Sequence, residues 1–206
     1  VNKGKCDKIF INTTGIGLFN NNYSKPGISR IKAGDKILIN GSIGDHGMTV
    51  MAERNELNIN AQIGSDCASL NHIISEIMTH SEGIKYMRDA TRGGIATVLT
   101  EIVSDKDYGL EINESDIPVR ESVRGICELL GFDPLFVANE GKFISIVSSE
   151  SADKVLNIMR SNPLGKNASM IGEITENHKG KGWINTEIGG KRILDMLSGE
   201  QLPRIC

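Results

Sequence analysis

Apolar residues follow two rhythms along the chain, and the rhythms are interleaved. Short strand-like runs at residues 7–14, 35–40, 142–148, 168–174 and 182–188, bounded by glycine or polar residues, predict strands. The first runs into a turn at Gly15-Ile16-Gly17, and the last two are expected to form a hairpin-like pair. Between these runs the spacing becomes helical. Leu70, Ile73, Ile74, Ile77 and Met78 share one face, with Ser65 or Asp66 upstream as the expected cap and His72 and His80 on or just beyond the helix. Ile95, Val98, Leu99, Ile102 and Val103 make a second stripe, and Val123, Ile126, Cys127 and Leu130 a third that Gly131 should close. Met48, Met51 and Ala52 line a helix opened by residues 44–47, and Val155, Ile158 and Met159 belong to a short one. The polar stretch 19–34, with Pro26 and Gly27, reads as a long loop or crossover. No βαβ unit repeats. The fold class expected is therefore α+β, a mixed sheet with helices packed on its faces.

Composition narrows the functions open to such a domain. Of 206 residues 39% are hydrophobic, enough for a core that needs no disulfide support. The net charge is -3 and Lys and Arg nowhere cluster, which argues against a nucleic-acid surface. No apolar run approaches the ~20 residues that span a bilayer, and no secretory pattern is visible, so a soluble cytoplasmic protein is expected. Cys6, Cys67, Cys127 and Cys206 are widely spaced, as are His46, His72, His80 and His178. Without a CxxC pair no structural metal site is expected. Cys127 lies on an apolar stripe and reads as a small buried hydrophobe. Val1, with no initiator Met and a strand close behind it, suggests a chain cut from a longer one.

Four segments exceed what a core requires. Gly44-Asp45-His46-Gly47 places glycines and free amides at a helix start, which suits an anion, although taken alone it fits an ordinary Asp cap between turn glycines better. Arg88-Asp89-Ala90-Thr91-Arg92-Gly93-Gly94 gathers arginines, a carboxylate, a hydroxyl and two glycines ahead of a helix. It is equally suited to phosphate or carboxylate recognition and to helix capping by Asp89 or Thr91. Glu140, in Asn139-Glu140-Gly141, is flanked by apolar runs that would strip its solvation, raise its pKa and fit it for proton transfer. On the residues alone a hairpin turn is the stronger reading. Finally, Pro203-Arg204-Ile205-Cys206 puts a thiol on a short arm reaching ~13 Å, able to enter one pocket and present itself elsewhere; an incidental frayed terminus is the alternative.

Taken together these segments resemble the HypE family of hydrogenase maturation proteins. The resemblance runs the length of the chain, through residues 7–17, 44–47, 89–94, 138–141 and 203–206. The 89–94 segment is shared by relatives such as selenophosphate synthetase, whereas the Pro-Arg-Ile-Cys ending singles out HypE. The resemblance implies a PurM-like C-terminal domain at 31–198, preceded at 1–30 by the end of an ATP-binding, dimerising domain and followed at 199–206 by a tail ending in Cys206. Most nucleotide and metal ligands of that family lie upstream of Val1, so ATP and Mg2+ are expected cofactors of the full-length protein.

The reaction implied is carbamoyl dehydration. A HypF partner places a carbamoyl group on Cys206, and ATP turns the carboxamide oxygen into a leaving group. Loss of phosphate and a proton then leaves a thiocyanate, whose cyanide goes to iron on a HypC–HypD complex. In this family pattern Glu140 is the catalytic base, and Lys3, with Lys5 and Lys8 as alternatives, is its partner. Asp45, His46, Asp89, Thr91, Arg92, Gly93, Gly94 and Asn139 are implied to position phosphate or the tail. Two other readings stay open at this point. One is another PurM-type synthetase, which needs no terminal Cys; the other is a docking fragment without catalysis.

Overall fold

The computed structural model describes residues 14–16, 18, 25–54 and 63–196. The strands are β1 (Lys36–Ile39), β2 (Ile84–Asp89), β3 (Gly109–Asn113), β4 (Phe143–Val147), β5 (Ser169–Thr175), β6 (Gly182–Asn185) and β7 (Lys191–Leu194). Among the described residues they form one seven-stranded sheet in the order β2-β4-β1-β5-β3-β6-β7. Only the β3–β6 pairing is parallel; the other five are antiparallel. The mixed α+β architecture matches the expectation. Strands β5 and β6 are not a hairpin, because β3 lies between them and pairs with both. The strand expected at residues 7–14 lies outside the described residues except for Thr14.

Helices cover both faces. Alternation along β1 sends Ile37 and Ile39 to one side and Leu38 to the other. On the first side α3 (Gly94–Val103) lays its whole predicted stripe, Ile95, Val98, Leu99, Ile102 and Val103, on the sheet. On the second side α2 (Asn71–His80) and α5 (Ala152–Ser161) bury Ile73, Ile77, Val155 and Met159 around Leu38, Phe143 and Val147. A third cluster joins α1 (Asp45–Arg54) to α4 (Glu121–Leu130) through Met48, Met51, Val123, Ile126 and Cys127. Gly131 ends α4 in the left-handed conformation, as expected. Helix α2 has Leu70 at its start and no side-chain cap, so the capping role expected of Ser65 or Asp66 is not what they do.

Register explains what comes next. Strand β4 is buried on both faces between β1 and β2, which run antiparallel to it. Its start, Phe143, pairs with the end of β2 at Asp89, and Ile144 with the end of β1 at Ile39. The loops after β1, after β2 and before β4 therefore open at one end of the sheet. Those loops are three of the four segments singled out in the sequence.

Candidate active site

Asn139 ties the three loops together from a fully buried position. Its Oδ1 accepts from the Gly44 amide at 2.8 Å, and its Nδ2 donates to the carbonyls of Val137 at 2.9 Å and Ala90 at 3.2 Å. One side chain thus satisfies three buried backbone groups from three segments, leaving none orphaned. Close approach reinforces the junction. Gly94 has a φ of +61°, and a Cβ there would lie 2.3 Å from the Leu135 carbonyl oxygen, so only glycine allows α3 to start against residues 135–137.

At the start of α1 the amides are less free than an anion site would require. The Gly44 amide is held by Asn139, and the Gly47 amide donates to Ala138 O at 3.1 Å. Asp45 is fully buried. Its Oδ2 accepts from Ser42 Oγ at 2.9 Å, and its Oδ1 stands 3.5 Å from Arg120 Nε without a hydrogen bond. Desolvation pushes its carboxyl pKa above the usual value, and the Ser42 hydrogen bond and the charges of Arg120 and Lys142 pull it back only partly. Asp45 is therefore a buried structural carboxylate here.

The loop at 89–94 keeps its polar groups outward. Thr91 Oγ1 donates to Asp89 Oδ2 at 2.7 Å, and Arg92 is exposed. Arg88 pairs with Glu101. Neither Asp89 nor Thr91 caps α3, whose N-cap residue is Gly93 in the left-handed conformation with no side-chain bond.

Glu140 occupies a bend ahead of β4 and not a hairpin turn. Its side chain remains 26% exposed, and Oε1 lies 4.0 Å from His46 Nε2. What fixes it is a residue that pattern reading took for a cap. Asp66, whose side chain is only 4% exposed, accepts from the Glu140 amide at 3.1 Å and from the Gly141 amide at 3.3 Å, and pairs with the Lys142 ammonium, Nζ to Oδ2, at 3.0 Å. A Cβ on Gly141 would sit 2.0 Å from the Asp66 carbonyl oxygen. The neighbouring Ser65 bonds His46, Oγ to Nδ1, at 2.9 Å. Residues 65 and 66 thus bracket His46 and Glu140 from one short segment. No periodicity marks that segment, and its partners at 140–142 lie more than seventy residues on in the chain.

Asp45, His46, Asp89, Thr91, Arg92, Gly93, Gly94, Asn139 and Glu140 therefore lie on loops, or on the element ends that those loops join, that converge at one end of the sheet. Cys206 and Lys3, with Lys5 and Lys8, lie outside the described residues.

Residues 32–185 match the model of the AIR synthase related protein, C-terminal domain. The whole chain is 42% identical to the carbamoyl dehydratase HypE of Rhodobacter capsulatus and covers 60% of it. It is 43% identical to that of Escherichia coli K12, again covering 60%. The chain thus spans about 60% of the length of these curated relatives. Among solved structures, E. coli HypE superimposes with a TM-score of 0.83 at 42% identity, over 88% of this chain and 56% of that one. A HypE–HypF complex matches at 46% identity and a TM-score of 0.78, over 82% and 55%. A HypE in complex with ATP matches at 43% and 0.82, over 88% and 55%.

Proposed function

The chain belongs to the AIR synthase related protein family, whose C-terminal domain it carries, and from that membership and its likeness to HypE we propose that it serves a carbamoyl dehydratase. In this reading Cys206 carries an S-carboxamide, and ATP-dependent dehydration turns it into a thiocyanate that supplies cyanide for the iron of NiFe hydrogenase. Residues 1–30 close an upstream ATP-binding domain, 31–198 form the domain described above, and 199–206 carry the cysteine to and from the site.

The observation that carries this reading is the convergence of the 44–47, 89–94 and 137–141 loops, fastened by Asn139, around an accessible carboxylate on Glu140. Dehydrating an amide removes two N–H protons, so a base must stand at the reacting nitrogen. Glu140 takes that role, with Lys3 as the partner from the opening segment. The uncapped start of α3 and exposed Arg92 beside it fit the phosphate end of ATP, while Mg2+ and most nucleotide contacts belong upstream. ATP supplies the driving force by carrying off the carboxamide oxygen as phosphate. Asp89, Thr91, Gly93 and Gly94 shape that corner, and Asp45 and Asn139 hold the loops.

HypF is the donor partner proposed, in keeping with the HypE–HypF complex among the similar structures. A HypC–HypD complex is proposed as acceptor, a homodimer as the working form and the cytoplasm as its location. Intact mass of the full-length protein after incubation with HypF, carbamoyl phosphate and ATP tests the carrier role. Cys206→Ala is expected to show no carbamoyl adduct. An adduct of undiminished yield on that variant would remove Cys206 from the reaction.

A further inference from the structure

We infer that Asp66 is a positioning residue for the dehydration, fixing the place from which Glu140 takes its proton; this rests on the reaction proposed above. Glu140 needs such a hold because no regular element supplies one. It lies in a bend, and the β4 ladder begins only at Phe143. Its side chain is 26% exposed, so close packing does not locate the carboxylate either. Two asparagines anchor the chain on either side. Asn139 is fastened to Gly44 and Ala90, and the Asn40 side chain accepts from the Phe143 amide at 2.8 Å and donates to the Gly141 carbonyl at 3.1 Å. Between these anchors the amides of Glu140 and Gly141 donate to Asp66, one to Oδ1 and the other to Oδ2. Those two amides belong to the two peptide units that flank the Glu140 Cα. Each unit is planar, so holding both sets φ and ψ at Glu140 and with them the direction of its side chain.

A carboxylate suits this position because it offers two acceptor oxygens on one rigid plane, where an amide side chain offers one. Its charge is balanced in place. Lys142 Nζ stands 3.0 Å from Oδ2, with the two side chains only 11% and 4% exposed, and a buried carboxylate without such a partner would be costly. Segment 65–68 also closes tightly on Gly141, where a Cβ would meet the Asp66 carbonyl oxygen and, at 3.3 Å, the Ala68 side chain. The neighbouring Ser65 hydroxyl meets His46 Nδ1 at 2.9 Å, whichever of the two gives the proton. Residues 65 and 66 thus set Glu140 and the imidazole beside it relative to one another. The hydrogen bonds of Asp66 go to backbone and its charge to Lys142, so its influence on the reaction passes through where Glu140 stands. Placement matters that much because a shift of about 1 Å in a reacting group costs on the order of 10²-fold in rate.

The test uses the full-length protein with Cys206 already carbamoylated and follows thiocyanate formation in a single turnover, by mass spectrometry, after ATP is added. The rate constant reports the geometry of the site and the amplitude the folded fraction, so a merely structural loss moves only the amplitude. Asp66→Ala is expected to keep ATP affinity and carbamoyl acceptance while the rate constant falls by on the order of 10²-fold. Asp66→Asn, with the same shape and one acceptor oxygen, is expected to fall between, and it decides alone if Asp66→Ala does not fold. Added to Glu140→Gln, Asp66→Ala is expected to slow the residual reaction no further. A wild-type rate constant in either Asp66 variant, or a double variant slower than Glu140→Gln alone, overturns the assignment. If the unsubstituted protein forms no thiocyanate, or Glu140→Gln matches it, the proposed reaction or its base falls and this inference with it. If Glu140→Gln is slow and the Asp66 variants match the unsubstituted protein, the role of Asp66 alone is refuted.

Discussion

Asn139 meets three backbone groups with one amide, so truncating it strands the buried Gly44 N–H and the Val137 carbonyl, while the Ala90 carbonyl keeps the Asn139 backbone amide at 3.3 Å. Asn139→Ala is expected to cost about 2–4 kcal/mol, since one buried unpaired donor alone costs roughly 1–3 kcal/mol; urea denaturation would measure it. Asp35 works in the opposite sense. It is buried, its Oδ2 accepts from the Lys32 amide at 2.8 Å, and its Oδ1 has no partner. Desolvation raises its folded pKa above the ordinary carboxyl value of 3.8, against the pull of the Lys32 amide and the Lys85 and Lys32 charges. The folded state therefore holds this proton to higher pH than the unfolded chain does. The stability linked to it is complete below 3.8 and is lost as pH rises through the raised value. Asp35→Asn is expected to flatten the stability profile just above that pH, and an unchanged slope would count against it. Of the two cysteines described, burial pushes the Cys127 thiol up to about 11 whereas Cys67 is exposed. A thiol reagent at neutral pH should therefore label Cys67 and spare Cys127 until the protein unfolds.

At the level of elements, α3 is the helix most committed to the core, with Ile95, Val98, Leu99, Ile102 and Val103 all buried against the sheet. Leu99→Ala should cost about 2–5 kcal/mol, read from the shift in denaturation midpoint. This helix was legible because its stripe is long and uninterrupted, and α4 was legible for the same reason. Strands β2, β3 and β7 leave no clear mark in the local sequence, for physical reasons. β2 and β7 are edge strands with mixed exposure, and β7 is only four residues long. In β3 the partly exposed Glu111 and Asn113 alternate with buried Leu110 and Ile112 over five residues, too short a run to stand out. That β3 would slip between β5 and β6 is a matter of long-range pairing, which no local pattern encodes. The site divided along the same line. Its glycines and Glu140 stood out by local chemistry, whereas Asp66 looked like a cap because its true partners are at 140–142.

For the whole molecule, the sheet order decides the chemistry. Placing β4 between the ends of β1 and β2 delivers three loops that are distant in sequence to one rim. Among the described residues no helix is long and apolar enough to cross a membrane. The central claim is that Glu140 removes a proton from a carboxamide on Cys206. The most direct measurement is the intact mass of full-length Glu140→Gln after incubation with HypF, carbamoyl phosphate and ATP. The account predicts a variant that gains the carbamoyl group and stays there, without the loss of one water that marks thiocyanate. Loss of that water at the wild-type rate would contradict it.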